Sequence, residues 1–288
     1  MKNIYIHIGM QKTGSTWLQN NYFPKIESHD VICKQSFRHL FYDLNPDKDL
    51  IITYENYVGY PHPLPCRAWN GWMDTRDSAF KNLSSFFPSA DIVLVIRRQP
   101  DFIKSLYNQY VKVGGNITFD DYWTGDCFNS FEKGAIKYTD LVQQIDDNFK
   151  GRILVLDFDL FVNDKKRFSE VLNGFFGQVN TIDLTESYQS LVNKSLRWKD
   201  IRALLSAYKL FGNKYHPNAR IKLHRRLFKA LRWVSVNFYS AFFSNETAVS
   251  EEHLKSIEAY YSDDWTAITS LMKGGYFIKQ GDKISHDF

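Results

Sequence analysis

Three groups of residues in this 288-residue chain have the types and spacing to act on an anion. The first is Gly9, Lys12, Thr13, Gly14, Ser15 and Thr16 in "IYIHIGMQKTGSTWLQ" (4–19), where an apolar run passes through a glycine-bounded loop into a helical pattern. The first N–H groups of a helix lack an intrahelical acceptor and carry partial positive charge, so such a corner gathers a phosphate or a sulfate. Gly14 lets the backbone come close to a ligand, Thr13, Ser15 and Thr16 offer hydroxyls, and Lys12 sets a mobile cation at the apex. Gly9 and Gly14 have the separation of the nucleotide loop Gly-x4-Gly-Lys-Ser/Thr, yet the lysine lies inside the loop instead of after it. The second group is Arg97 and Ser105 in "VLVIRRQPDFIKSLYNQY" (93–110). An arginine at a strand end and a serine on the helix opened by Pro100 can converge on one anion, the guanidinium acting as a planar fork. Arg98 is not assigned to that site. The third is a set of titratable groups: Glu55 at the end of "IITYE", His7 two residues before Gly9, and His62 in "GYPHPLP".

These residues need a scaffold that brings strand ends together. Continuous Val/Ile/Leu-rich runs predict strands over 4–9, 49–54, 91–97 and 152–158, with a weaker one over 30–34; runs of this kind suit a parallel sheet buried on both faces. Helical patterns over 15–26, 75–87, 100–112 and 131–149 alternate with them, which predicts right-handed crossovers and a layered α/β fold with flanking helices. From about residue 163 the pattern turns helical, over 165–176, 196–211, 219–243 and 250–273, and the whole chain reads as one domain. Ligands of open parallel sheets bind at the carboxyl ends of the strands, where all three groups fall.

Composition excludes several classes. A net charge of +4 suits an anionic ligand without demanding nucleic acid, which is not expected as a partner. Cys33, Cys66 and Cys127 are too scattered for a zinc site or a disulfide framework and point to a reducing, cytoplasmic setting. No apolar run is long enough to span a membrane, and "NIYIHIG" is a strand-length stretch rather than a secretion signal.

The stretch "GMQKTGSTWLQ" resembles the 5′-phosphosulfate loop of the sulfotransferases that use 3′-phosphoadenylyl sulfate (PAPS), in the form found in bacterial carbohydrate-type members. The Arg97…Ser105 spacing is similar to that family's 3′-phosphate site. The resemblance implies a P-loop nucleoside-triphosphate-hydrolase-like fold with a three-layer, mostly parallel sheet and a helical C-terminal part. It also implies PAPS as donor, 3′,5′-ADP (PAP) as product and metal-independent in-line transfer to a hydroxyl. Lys12 would stabilise the leaving phosphate, Thr13, Gly14, Ser15 and Thr16 would cradle the 5′ end, and Arg97 and Ser105 would hold the 3′-phosphate. Glu55, by likeness to heparan-type members, would take the acceptor's proton, with His7 as the alternative base. Asp159 stands roughly where the family has a Glu after a later strand, and "MKGGYF" (272–277) is a candidate for its late phosphate loop, although a Gly-Gly after a helix also serves as a C-cap.

Two other readings remain open at this level. A P-loop kinase-like phosphotransferase would use Asp157, at the end of "RILVLD", in a metal shell. A sulfotransferase-like binding protein without turnover would keep only the anion grips. The acceptor is expected to be a saccharide or glycolipid, with Trp69, Trp72 and Trp123 available to stack on sugar faces. In 219–243, Lys222, Arg225, Arg226, Lys229 and Arg232 interleave with apolar residues at helical spacing, which fits either a solvated face of a packed helix or peripheral contact at the inner face of a membrane.

Overall fold

The structure, a computed structural model, describes residues 3–33, 44–61, 71–124, 131–178, 196–211, 221–244, 246–247 and 249–287. His62, Cys66, Trp69 and Cys127 lie outside the described residues. In chain order the elements are β1 (Ile4–Gly9), α1 (Ser15–Trp17), β2 (His29–Cys33), β3 (Asp49–Thr53), α2 (Trp72–Phe86), β4 (Asp91–Ile96), α3 (Gln99–Lys112), α4 (Phe119–Thr124), α5 (Tyr138–Asn148) and β5 (Ile153–Asp157). They continue with α6 (Phe158–Asn163), α7 (Lys165–Phe175), α8 (Trp198–Phe211), α9 (Ile221–Asn237), α10 (Glu251–Ser270), β6 (Tyr276–Gln280) and β7 (Lys283–Ser285).

A seven-stranded sheet runs in the order β2-β3-β1-β4-β5-β6-β7. The first five strands are parallel, with Ile6 opposite Ile52 and Ile96 opposite Asp157, and β6 and β7 add antiparallel on the β5 side. Both sheet faces are apolar because successive side chains alternate. Ile6, Ile8, Ile52, Ile92, Leu94, Ile153 and Val155 enter one core, with residues of α2, α3, α5, α8 and α10. Tyr5, Ile51, Val93, Val95, Leu154 and Leu156 enter the other, with Trp17, Leu18, Tyr22 and the apolar side of α7. This is the three-layer, mostly parallel α/β class expected from the sequence.

Several elements differ from expectation, among them the helix expected over 131–149, which is a 3-10 turn (Lys133–Ile136) followed by α5. The helix foreseen over 15–26 is one α turn, a π segment (Leu18–Tyr22) and a 3-10 turn (Phe23–Lys25), with Pro24 in the last. The strand over 152–158 stops at Asp157, whose carboxylate accepts from Asp159 N (2.9 Å) and starts α6. The chain also ends in a strand pair rather than a helix. Gly274 and Gly275, at φ 64° and 83°, turn the chain from α10 into β6 and do not cap the helix, which ends at Ser270. Among the described residues no helix is long and apolar enough to cross a membrane.

One carboxylate joins the helices on the functional side. Asp264 of α10 accepts from Tyr138 N (2.9 Å), Thr139 N (3.0 Å) and Thr139 Oγ1 (2.6 Å), which caps α5 from outside, and from Gln99 Nε2 (2.9 Å) at the start of α3. Hydrogen bonds to a charged group are among the stronger ones, and orphaned donors are costly. Asp264→Ala is expected to destabilise the fold by about 2 to 3 kcal/mol, read as a lower urea midpoint at unchanged slope; an unchanged midpoint would remove Asp264 from this role.

Candidate active site at the carboxyl edge

β1 ends against the turn that follows β3. Gly9 has φ 103°, and a Cβ there would fall 2.7 Å from the Glu55 carbonyl oxygen, so only glycine lets the two strand ends meet. Gln11 then ties the loop to the same turn, its amide donating to Asn56 Oδ1 (3.0 Å) and to the Gly59 carbonyl (3.1 Å). Lys12 follows at φ 65°, a left-handed conformation that costs a non-glycine residue roughly 1 to 2 kcal/mol. Gly14, at φ 82°, opens α1, its carbonyl accepting from Trp17 N (2.8 Å) and Leu18 N (3.0 Å). The chain thus turns through the left-handed region twice within three residues.

The loop hydroxyls divide. Thr13 Oγ1 (2.6 Å) and Ser15 Oγ (2.9 Å) both donate to the Met10 carbonyl and are buried, so they brace the loop from within. Thr16 is exposed at the start of the helix.

Arg97 brings the second anion group to the first. It leaves the end of β4 half-buried, lays its guanidinium over the Phe158 ring (5.0 Å to the centroid) and donates from Nη1 to the Lys12 carbonyl (3.4 Å). The Tyr138 hydroxyl donates to the Arg97 carbonyl (2.5 Å) and steadies the strand end. Phe158 and Phe161 also pack on Gly14, where a Cβ would lie 3.5 and 3.4 Å from their rings. Arg98, the next residue, pairs instead with Glu258 of α10.

Helix α3 supplies a third wall. Lys12 Nζ donates to Gln109 Oε1 (3.3 Å). Ser105 stands one turn before Gln109 and Lys112 about one turn after it, so the three share a helix face. Burial pulls the Lys12 ammonium below the ordinary lysine range; the charge of Lys112 adds to the shift, Glu55 opposes it, and Arg97 adds again. Lys12 therefore sits among cations with Glu55 close enough to act on it. Gln109 and Lys112 escaped the sequence reading because only the fold reveals that this stretch of α3 meets the loop.

Other candidates fall elsewhere. His7 is fully buried within β1, with Nδ1 2.8 Å from Thr53 Oγ1, and burial pushes its imidazole down to about 3. It is a neutral core residue. Trp72 and Trp123 are core residues too, the Trp72 indole donating to the Val58 carbonyl (2.7 Å), so neither offers a sugar-stacking surface. Burial raises the Asp157 carboxyl, and its role as the cap of α6 gives it a structural task instead of the metal-shell one considered from sequence. Among the described residues no group of three or more His, Cys, Asp or Glu is placed to hold a metal ion.

No protein-family profile matches the sequence, and no curated protein does. Among solved structures, the chain is similar to a sulfotransferase from Alicyclobacillus acidocaldarius at 14% identity and a TM-score of 0.48, over 81% of this chain and 99% of that one.

His7 has a measurable consequence. Above its ordinary value of 6.5 it is neutral whether folded or unfolded and contributes nothing. As pH falls from 6.5 towards 3, the unfolded chain takes up a proton that the folded one refuses, so stability drops. Its share of the loss between pH 7 and pH 5 is expected to be about 2 kcal/mol, and His7→Gln should flatten the urea-midpoint profile over that range. Parallel profiles for the two proteins would show that His7 titrates normally.

Proposed function

We propose that the chain is a sulfotransferase that moves a sulfuryl group from PAPS to a hydroxyl on a carbohydrate or glycolipid acceptor. The observation that carries this reading is the meeting of Arg97 with the Lys12 loop at 3.4 Å. Two anion grips 85 residues apart in sequence converge on one strand edge, as a donor with phosphate at two positions requires. Burial is the main cause of the lowered Lys12 pKa, with Lys112 and Arg97 adding to it, and a bound anion would counter all three.

When bound, the donor supplies a sulfuryl group joined to a phosphate that leaves as 3′,5′-ADP. The chain's residues divide the remaining work. The loop N–H groups and Thr16 hold the 5′ end, and Arg97 and Ser105 hold the 3′-phosphate. Lys12 directs its ammonium at the bridging oxygen, where negative charge develops as the bond breaks. Glu55, half-buried beside Gly9, takes the proton from the attacking hydroxyl. Gln109 holds the Lys12 ammonium until that charge appears.

A thermal-shift titration with 3′,5′-ADP tests the donor site. At about a hundredfold over its dissociation constant the ligand should stabilise the fold by roughly 2 to 3 kcal/mol, and the shift should survive EDTA. A shift seen only with ATP and Mg²⁺ would replace this reading with phosphoryl transfer. With an accepted sugar in hand, Lys12→Ala should lower kcat by about 100-fold to 1000-fold while leaving the melting temperature near that of the parent. A near-normal rate would remove Lys12 from the chemistry.

A further inference from the structure

The outer side of α9 and the turn after it form an apolar surface that the proposed transfer chemistry does not use. Trp233 is 59% exposed, Phe238 60% and Phe242 83%, with Val234 and Tyr239 beside them. Side chains this large are seldom left outward together on a soluble face. Trp233 meets Phe238 (5.4 Å), and Tyr239 meets Phe242 (6.3 Å) and Phe243 (5.1 Å). The opposite side of the helix is used for packing: Leu231 and Val236 join the core and Ser235 is buried. The pattern is that of a helix with one face docked on its own domain and the other presenting aromatic residues outward.

Charge selects what meets that face. From His216 to Asn245 the sequence holds Arg220, Lys222, Arg225, Arg226, Lys229 and Arg232 and no Asp or Glu. Side chains on α9 are described from Lys229 onward, and Lys229 is exposed next to the aromatic group. A second copy of the chain would set two acid-free cationic segments against each other, which is repulsive. An anionic lipid surface offers both halves of the match: headgroups for the cations, each worth about 1 kcal/mol near a charged leaflet, and an interfacial layer in which Trp, Tyr and Phe are at home.

We propose that this face, centred on Trp233, Phe238 and Phe242, docks the protein on the surface of an anionic bilayer. It lies in the interface and does not span it. The surface is joined to α3, because Arg232 Nη1 donates to the Lys112 carbonyl (3.5 Å) at the end of the helix that carries Gln109.

Vesicle co-sedimentation with the full chain tests the surface independently of any activity. Binding is expected to vesicles of phosphatidylcholine and phosphatidylglycerol in equal parts, at least tenfold tighter than to phosphatidylcholine alone, and to weaken with added salt. The double variant Trp233→Ser, Phe242→Ser should lose at least tenfold in vesicle affinity. Its melting temperature and its response to 3′,5′-ADP should match the parent's, because both side chains are exposed. Failure of the parent to sediment with anionic vesicles would overturn the proposal, as would equal binding by the double variant. A concentration-dependent dimer that the double variant abolishes would instead assign the face to a second copy.

Discussion

The site depends on one close approach, that of Gly9 to the Glu55 backbone. Where a side chain would collide at 2.7 Å, glycine lets the end of β1 lie against the turn leaving β3. The strands are neighbours in the sheet, with His7 opposite Thr53, so their ends must separate or share space. Sharing it sets the start of the Lys12 loop and the backbone of Glu55 by the same contact. Gln11 reinforces this from the next residue but one, with two hydrogen bonds to the turn. The turn that carries Glu55 and the loop that carries Lys12 are thereby held as one unit.

Electrostatics follow from that geometry. Lys12 is held at a left-handed apex, its ammonium given to Gln109, its carbonyl to Arg97, with Lys112 on the same wall. Gathering cations in a partly buried place is unfavourable, and here the Glu55 carboxylate offsets part of that cost. Thr13 and Ser15 show the complementary economy. Their hydroxyls both donate to the Met10 carbonyl, so the loop is braced from within.

Much of this was legible in the sequence, and the reason is the parallel sheet. Strands buried on both faces must be apolar throughout, so β1, β3, β4 and β5 announce themselves as unbroken Val/Ile/Leu runs, and the residues at their carboxyl ends, Gly9, Glu55 and Arg97, can be listed in advance as site candidates. Pro100 marked the start of α3. What stayed hidden carries no local signal. β6 and β7 are short, β7 is exposed at every position, and the Gly-Gly before them reads equally as the end of a helix. The α1 segment has helical periodicity, but nothing in it foretells a π turn. Burial decided the remaining cases: His7 and Glu55 are both near strand ends, and only packing shows that one is sealed in the core while the other reaches the loop.

Helix α3 deserves to be seen as the organiser of the remaining parts. Its first residue, Gln99, is fastened to Asp264 of α10, which in turn caps α5. Its middle carries Gln109 to the loop, and its last carbonyl receives Arg232 from α9. A rigid helix transmits displacement along its length, so a load on α9 and a ligand between Lys12 and Arg97 act on the same body. The direction of any coupling follows from linkage: if surface attachment seats α3 more firmly against the loop, anion binding must strengthen attachment by the same factor. The arrangement thus places three separate contacts, Gln99 with α10, Gln109 with Lys12 and the Lys112 carbonyl with α9, along one element.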